Sequence, residues 1–219
     1  MADIVTNINR AISDFDSIKS AIEAKGVTVG NVPTSEYADK IAEIQSGGQT
    51  YYSANGRLYT KDVVFPSNLK NVGGSAYQYC TLIETVTFPD TITDIGNNAF
   101  QGCTKLKEIY IPEGVTRIAQ NAFFGDPIST VYLPSTLTSM GASVFSTQYF
   151  RDVTLGQGFN LNLNIGMGSY TVDVMLAMFE ALKDNTGTTA KTLTLGATNL
   201  AKLTDEQIQI ATNKNWNVA

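Results

Sequence analysis

Histidine is missing from all 219 residues. Its absence removes at once the commonest general base, the Ser-His and Cys-His nucleophile pairs and the most frequent transition-metal ligand. Only two cysteines, Cys80 and Cys103, are present, and two thiols without histidine cannot close a tetrahedral zinc site. There is no glycine-rich phosphate loop: Gly166-Met167-Gly168 lacks the third glycine and the lysine, and a turn after a short strand accounts for it. Long apolar runs are lacking as well, since the longest, Val174 to Phe179, is far too short to span a bilayer. Basic residues are outnumbered, 15 against 20 acidic, giving a net charge of −5 and a pI near 4.7. That balance argues against nucleic acid or anionic lipid as partners. The amino terminus, beginning Met1-Ala2-Asp3, carries neither the basic stretch nor the unbroken apolar core of a secretory signal, which predicts assembly in the cytoplasm. No catalytic residue, cofactor or metal is expected.

What the chain does have is a period. Val64-Phe65-Pro66, Thr87-Phe88-Pro89, Tyr110-Ile111-Pro112 and Tyr132-Leu133-Pro134 recur at spacings of 23, 23 and 22 residues. Three residues after each proline stands an aliphatic side chain (Leu69, Ile92, Val115, Leu137), and six after stands another (Val72, Ile95, Ile118, Met140). Further on come Ala76-Tyr77, Ala99-Phe100, Ala122-Phe123 and Val144-Phe145. In a solenoid each position stacks on its copy in the next coil, so inward positions must be apolar every time. The pattern therefore predicts a repeat rod over residues 50 to 156, with Phe65, Phe88, Ile111 and Leu133 in one inward file. Cys80 and Cys103 fall on adjacent coils, about 4.8 Å apart if strand spacing applies. They read as buried thiols in a core ladder, although that spacing also admits a disulfide.

The phrase from Ile95-Gly96-Asn97-Asn98-Ala99-Phe100 to Gln101-Gly102-Cys103-Thr104-Lys105-Leu106, with Ile109-Tyr110-Ile111-Pro112 after it, resembles the BspA-like leucine-rich repeat of bacterial surface and phage proteins. The likeness is strongest from Leu82 to Pro134. It implies a leucine-rich-repeat-like β-solenoid, and the helical patterns at the two ends make the expected fold class an α+β repeat with an N-terminal helical segment and a C-terminal helical cap. Asp126 with Pro127, and then Gln148, replace the cysteine of the earlier coils, which predicts drift toward a cap.

Two domains are expected: residues 1–48 as a helical assembly segment and 49–219 as the repeat domain. In the first, Ile4, Ala11 and Ile18 interleave with Ile8, Phe15 and Ile22 as an a/d heptad seam ended by Gly26. A second helix is expected from about 35 to 45, then a linker at 46–49. Residues 24–29 leading to 37–44 resemble a helical segment of tail-fibre and other structural proteins of tailed phages. The seam has three candidate partners: copies of itself, with a trimer favoured, the 35–45 helix in a hairpin, or another virion protein. At the far end, Phe159, Leu161 and Leu163 alternate as a strand. A helix from Val172 to Leu182 is inserted at about 169–187, and residues 191–196 return to the strand motif. Thr204 and Gln207 form a capping box for a last helix through Asn213, and Trp216 covers the open end.

Function is expected on the surface. The outward strand residues Val64, Thr87, Tyr110, Tyr132 and Thr154 form a ladder. Two adjacent tyrosines there offer flat apolar area with hydroxyls for a sugar or protein, or else serve only to steady cross-strand neighbours. Phe124, where its equivalents are Gln101 and Gln78, joins the candidate face. The carboxylates Asp90, Asp94, Glu108, Glu113, Asp173 and Glu180 read as solvated charge, not as a glycosidase pair. These features predict a non-enzymatic phage virion protein, a tail-fibre or receptor-binding component. It would oligomerise through its N-terminal helices and bind a host cell-surface glycan or protein. A bacterial cell-surface adhesin and a virion decoration protein without receptor role are the alternatives.

Overall fold

The computed structural model describes residues 61–219 apart from Pro66. The heptad seam of Ile4, Ile8, Ala11, Phe15, Ile18 and Ile22, the 35–45 helix, the linker and residues 50–60 of the expected repeat lie outside the described residues.

Within them, each of the first four coils carries two short strands. The first ladder is built from β1 (Asp62–Val64), β3 (Thr85–Thr87), β5 (Glu108–Tyr110), β7 (Thr130–Leu133) and β9 (Asp152–Leu155). Alternation along each strand buries its second residue, so Val63, Val86, Ile109, Val131 and Val153 face the core while their neighbours face outward. The second ladder comprises β2 (Asn71–Val72), β4 (Asp94–Ile95), β6 (Arg117–Ile118) and β8 (Ser139–Met140), all parallel, with Val72, Ile95, Ile118 and Met140 in register. After it the chain turns a corner through a left-handed residue in every coil: Ser75, Asn98, Asn121 and Ser143 have φ of 56, 55, 56 and 52°. A short side chain with a hydrogen-bonding tip bears that conformation better than a bulky one.

The core is a pair of files. Tyr77, Phe100, Phe123 and Phe145 stack ring on ring at centroid distances of 5.1, 5.2 and 5.2 Å, with interplanar angles of 3, 0 and 6°. Beside them Phe65 stacks on Phe88 at 5.5 Å, and the same inward column continues through the fully buried Ile111 and Leu133. The two files meet edge to face, Phe88 against Phe100 at 5.9 Å. Such pairs contribute about 0.5–1.5 kcal/mol each beyond their buried area.

Past β9 the period changes. Of the alternating segment, only Leu163–Asn164 forms a strand (β10), because Phe159 is instead bridged to Leu182. Helix α1 (Val172–Ala181) starts at Thr171, whose side chain accepts from the Val174 amide at 3.3 Å, and ends where Leu182 turns extended. Strand β11 (Lys191–Thr194), the short helix α2 (Ala197–Leu200), helix α3 (Asp205–Thr212) and strand β12 (Trp216–Val218) come next. The strands pair in parallel as β10-β11-β12. Both halves of the expected capping box form between Thr204 and Gln207. Trp216 is buried on β12, its indole N–H donating to the Lys183 carbonyl at 2.9 Å.

One expectation is corrected. Asp126 does not mark drift toward a cap: it is only 1% exposed, and the first ladder continues beyond it from β7 to β9. Its Oδ1 accepts from the Cys103 amide at 2.7 Å, so the carboxyl occupies the interior column that holds thiols in the two preceding coils.

Candidate functional site on the sheet face

The outward columns of the first ladder carry the chemistry. Register places Val64 beside Thr87, Tyr110 beside Tyr132, and Tyr132 beside Thr154. The Tyr110 and Tyr132 rings lie 4.6 Å apart at 17°. Tyr110 is 58% exposed, whereas Tyr132 is anchored. The hydroxyl of Tyr132 donates to Glu113 Oε1 at 2.7 Å, and the same carboxylate accepts from the Ser135 amide and the Ser135 hydroxyl, both at 3.0 Å. Partial burial pushes the Glu113 carboxyl up, but the donors from Ser135 and Tyr132 outweigh it and hold the group below the usual range. Burial, and then the neighbouring Glu113 charge, push the Tyr132 phenol well above its ordinary value. Gly156 lies against this cluster, so close that an added Cβ would overlap Glu113 Oε1 and stand 3.0 Å from the Tyr132 hydroxyl.

The ladder is interrupted next to the tyrosines. β1 pairs with β3 and β5 with β7, but β3 and β5 do not pair. Phe65 N donates to Thr87 O and Ile111 N to Tyr132 O, yet among the described residues no such bond joins Phe88 to Tyr110. On the other flank the same two coils stay joined: β4 pairs with β6, and Phe100 N donates to Ala122 O at 2.8 Å. The open seam belongs to a cleft of about 540 Å³ lined by Glu84, Thr85, Val86, Glu108, Ile109, Tyr110, Thr130, Val131, Tyr132 and Thr154. No basic residue lines it. Glu84 is bridged at 3.6 Å to Lys61 and 3.7 Å to Lys105.

Of the residues singled out from the sequence, Tyr110, Tyr132 and Thr154 line the cleft and Thr87 stands one register step outside it. Phe124 is elsewhere: 45% exposed, it sits on the corner column, where Gln78 and Gln101 hydrogen-bond at 2.5 Å. Sequence reasoning passed over Glu84, Thr85 and Thr130 and read Glu108 only as solvated charge. Period-two alternation from Tyr110 to Glu108, and from Tyr132 to Thr130, would have placed two of them on the same face.

The other chemistry-bearing groups have structural partners. Arg117 Nη1 donates to both oxygens of Asp94, at 2.8 and 3.0 Å, and Glu180 lies 3.9 Å from Lys214. Cys80 and Cys103 are buried and not joined in a disulfide, and Cys103 Sγ donates to the Tyr77 carbonyl at 3.3 Å. Burial, and then the Asp126 charge, push the Cys103 thiol far above its ordinary value. Burial likewise pushes the Asp126 carboxyl up to about 8, against the amides of Cys103 and Gly102, which pull it down. Among the described residues there is no cluster of metal-ligating side chains and no helix long and apolar enough to cross a membrane.

Comparison with known proteins bears on the repeat. The description of the BspA type leucine-rich repeat region matches six copies across residues 51–162, more than half of the chain. The fold is similar to that of a leucine-rich repeat protein of T. pallidum, at 20% identity and a TM-score of 0.45 over 78% of this chain and 94% of that one. It is also similar to a leucine-rich repeat protein from Bacteroides ovatus, at 16% identity and a TM-score of 0.35, covering 73% of this chain and 43% of that one. A third likeness is to a leucine rich cell surface protein from Faecalibacterium prausnitzii, at 15% identity and a TM-score of 0.23, covering 73% and 60%. No protein of curated function matches the chain in sequence.

Proposed function

This chain belongs to the BspA-type leucine-rich repeat family, and from that premise we propose that it is a non-enzymatic recognition protein whose sheet face engages a cell-surface glycan or protein. The observation that carries the reading is the tyrosine pair: an exposed ring, Tyr110, backed by a second ring, Tyr132, that Glu113 fixes in place. Exposed aromatic area costs little to immobilise when it is already held, so its burial goes into affinity. The setting is a phage tail fibre or receptor-binding component, supported by the amino-terminal resemblance. The helices of residues 1–48 would gather copies so that weak sites act together. The family's occurrence on bacterial surfaces supports a second setting, a bacterial cell-surface adhesin.

Labelled full-length chain, incubated with bacterial envelope preparations, tests the recognition role. Capture that Tyr110→Ala lowers at least tenfold is the expected result, and capture indifferent to both Tyr110→Ala and Tyr132→Ala would refute it. Light scattering on the whole chain tests the assembly role; a trimer is expected, and a monomer would remove it.

A further inference from the structure

The interrupted seam identifies the class of ligand. Because Tyr110 and Tyr132 stack nearly parallel on consecutive coils, one face of Tyr110 is covered by Tyr132. The other turns toward the β3 side, where the next residue of the column is the much shorter Thr87. The ring therefore stands as a wall beside the unpaired strands. The floor carries Thr85 and the backbone of β3 and β5, where the amide and carbonyl groups at the ends of the strands lack the ladder partners that other coils supply. Glu108 is exposed and forms no ion pair among the described residues.

We propose that this slot, between the free face of Tyr110 and the unpaired β3–β5 seam, binds a neutral, hydroxyl-rich glycan. The inference rests on the recognition reading above and narrows it. The negative π-face of a tyrosine attracts the C–H face of a pyranose ring. Sugar hydroxyls both donate and accept, so they suit a floor that presents amides, carbonyls, a threonine hydroxyl and a carboxylate together. An anionic glycan fits badly, because the lining offers Glu84 and Glu108 and no cation. A basic peptide would meet the single charge of Glu108, since Glu84 is already shared between Lys61 and Lys105. An inserted peptide strand is excluded by geometry. The β4–β6 ladder and the corner bonds hold these two coils at the single-strand step of about 4.8 Å, and an extra strand needs about twice that.

Native gel electrophoresis of the full chain in gels cast with dextran, mannan or galactan tests this, with alginate as a polyanionic comparator. The expected result is retardation in at least one neutral gel and none in alginate. Tyr110→Ala and Glu108→Lys should each weaken it at least tenfold, Tyr110→Phe should retain it, and Phe124→Ala on the corner column should leave it unchanged. Mobility in all three neutral gels unchanged from that in a gel without polysaccharide, or retardation insensitive to both cleft variants, overturns the proposal. Periodate treatment, which destroys vicinal diols, separates the two readings. Tyr110-dependent capture on envelopes that survives periodate leaves recognition standing and overturns the glycan, whereas its loss supports both.

Discussion

Asp126→Asn should make the repeat domain less sensitive to pH. The Asp126 carboxyl is buried, with Oδ1 accepting from the Cys103 amide and Oδ2 without a partner. Its folded pKa is raised from 3.8 to about 8. In the unfolded chain the group ionises near its ordinary value, so between these limits the native state holds a proton that the unfolded state has released. The native state is then the one penalised as pH rises: stability falls from about pH 4 upward and the loss levels off above about pH 8. At about 1.36 kcal/mol per pH unit, the interval from pH 5.5 to 8 amounts to about 3 kcal/mol. Asparagine keeps the acceptor for Cys103 and cannot ionise. It places an unpartnered amide where Oδ2 was, a cost of about 1–3 kcal/mol that does not vary with pH. Urea midpoints followed by near-UV circular dichroism at pH 5.5, 7 and 8 give the comparison, and every other titrating group is common to both proteins. The variant should gain on the wild type by about 3 kcal/mol across that range. Parallel pH profiles would mean that Asp126 ionises normally and that its burial is wrongly described.

The same packing sets three further outcomes. Phe100→Ala removes the centre of the aromatic file, a ring with no exposed surface that touches Tyr77, Phe88 and Phe123; thermal or urea unfolding should show a loss of about 3–5 kcal/mol, and a loss under about 1 kcal/mol would contradict the file. Gly156→Ala should push Glu113 away from the Tyr132 hydroxyl, bringing the Tyr132 phenol back toward its ordinary value, which ultraviolet titration against a Tyr132→Phe control would detect; an unchanged titration would remove Gly156 from the site. Cys103, buried with its thiol pKa raised, should react with a disulfide reagent at pH 8 only after denaturant is added, and prompt labelling of Cys103 in the native protein would show that the coil opens.

The repeat was readable because its constraint recurs. Each inward position is tested in several coils, so Ile83, Ile92, Leu106 and Val115 could be assigned to the interior by alignment of the chain with itself, and all are buried. The corner residues were readable only in hindsight, since serine and asparagine at 75, 98, 121 and 143 share a conformation and not a hydropathy. Asp126 misled for a physical reason. An aspartate ordinarily signals water, and nothing in composition tells that a coil above will offer an amide to a carboxyl in the thiol column. At the candidate site, the tyrosine ladder followed from period and alternation, but Phe124 was drawn into it because it is apolar where its equivalents Gln78 and Gln101 are polar, and it faces another column. The β3–β5 interruption had no sequence signal, because the residues of both strands fit the repeat.

The chain's single tryptophan sits on the last strand, while the stacked phenylalanines and tyrosines occupy the earlier coils. Selective excitation of the indole therefore reports β12 and its packing against the Lys183 carbonyl, separately from the stacked rings of the earlier coils. Whether melting starts at one end and spreads, as nearest-neighbour coupling allows, can be watched in the unlabelled protein.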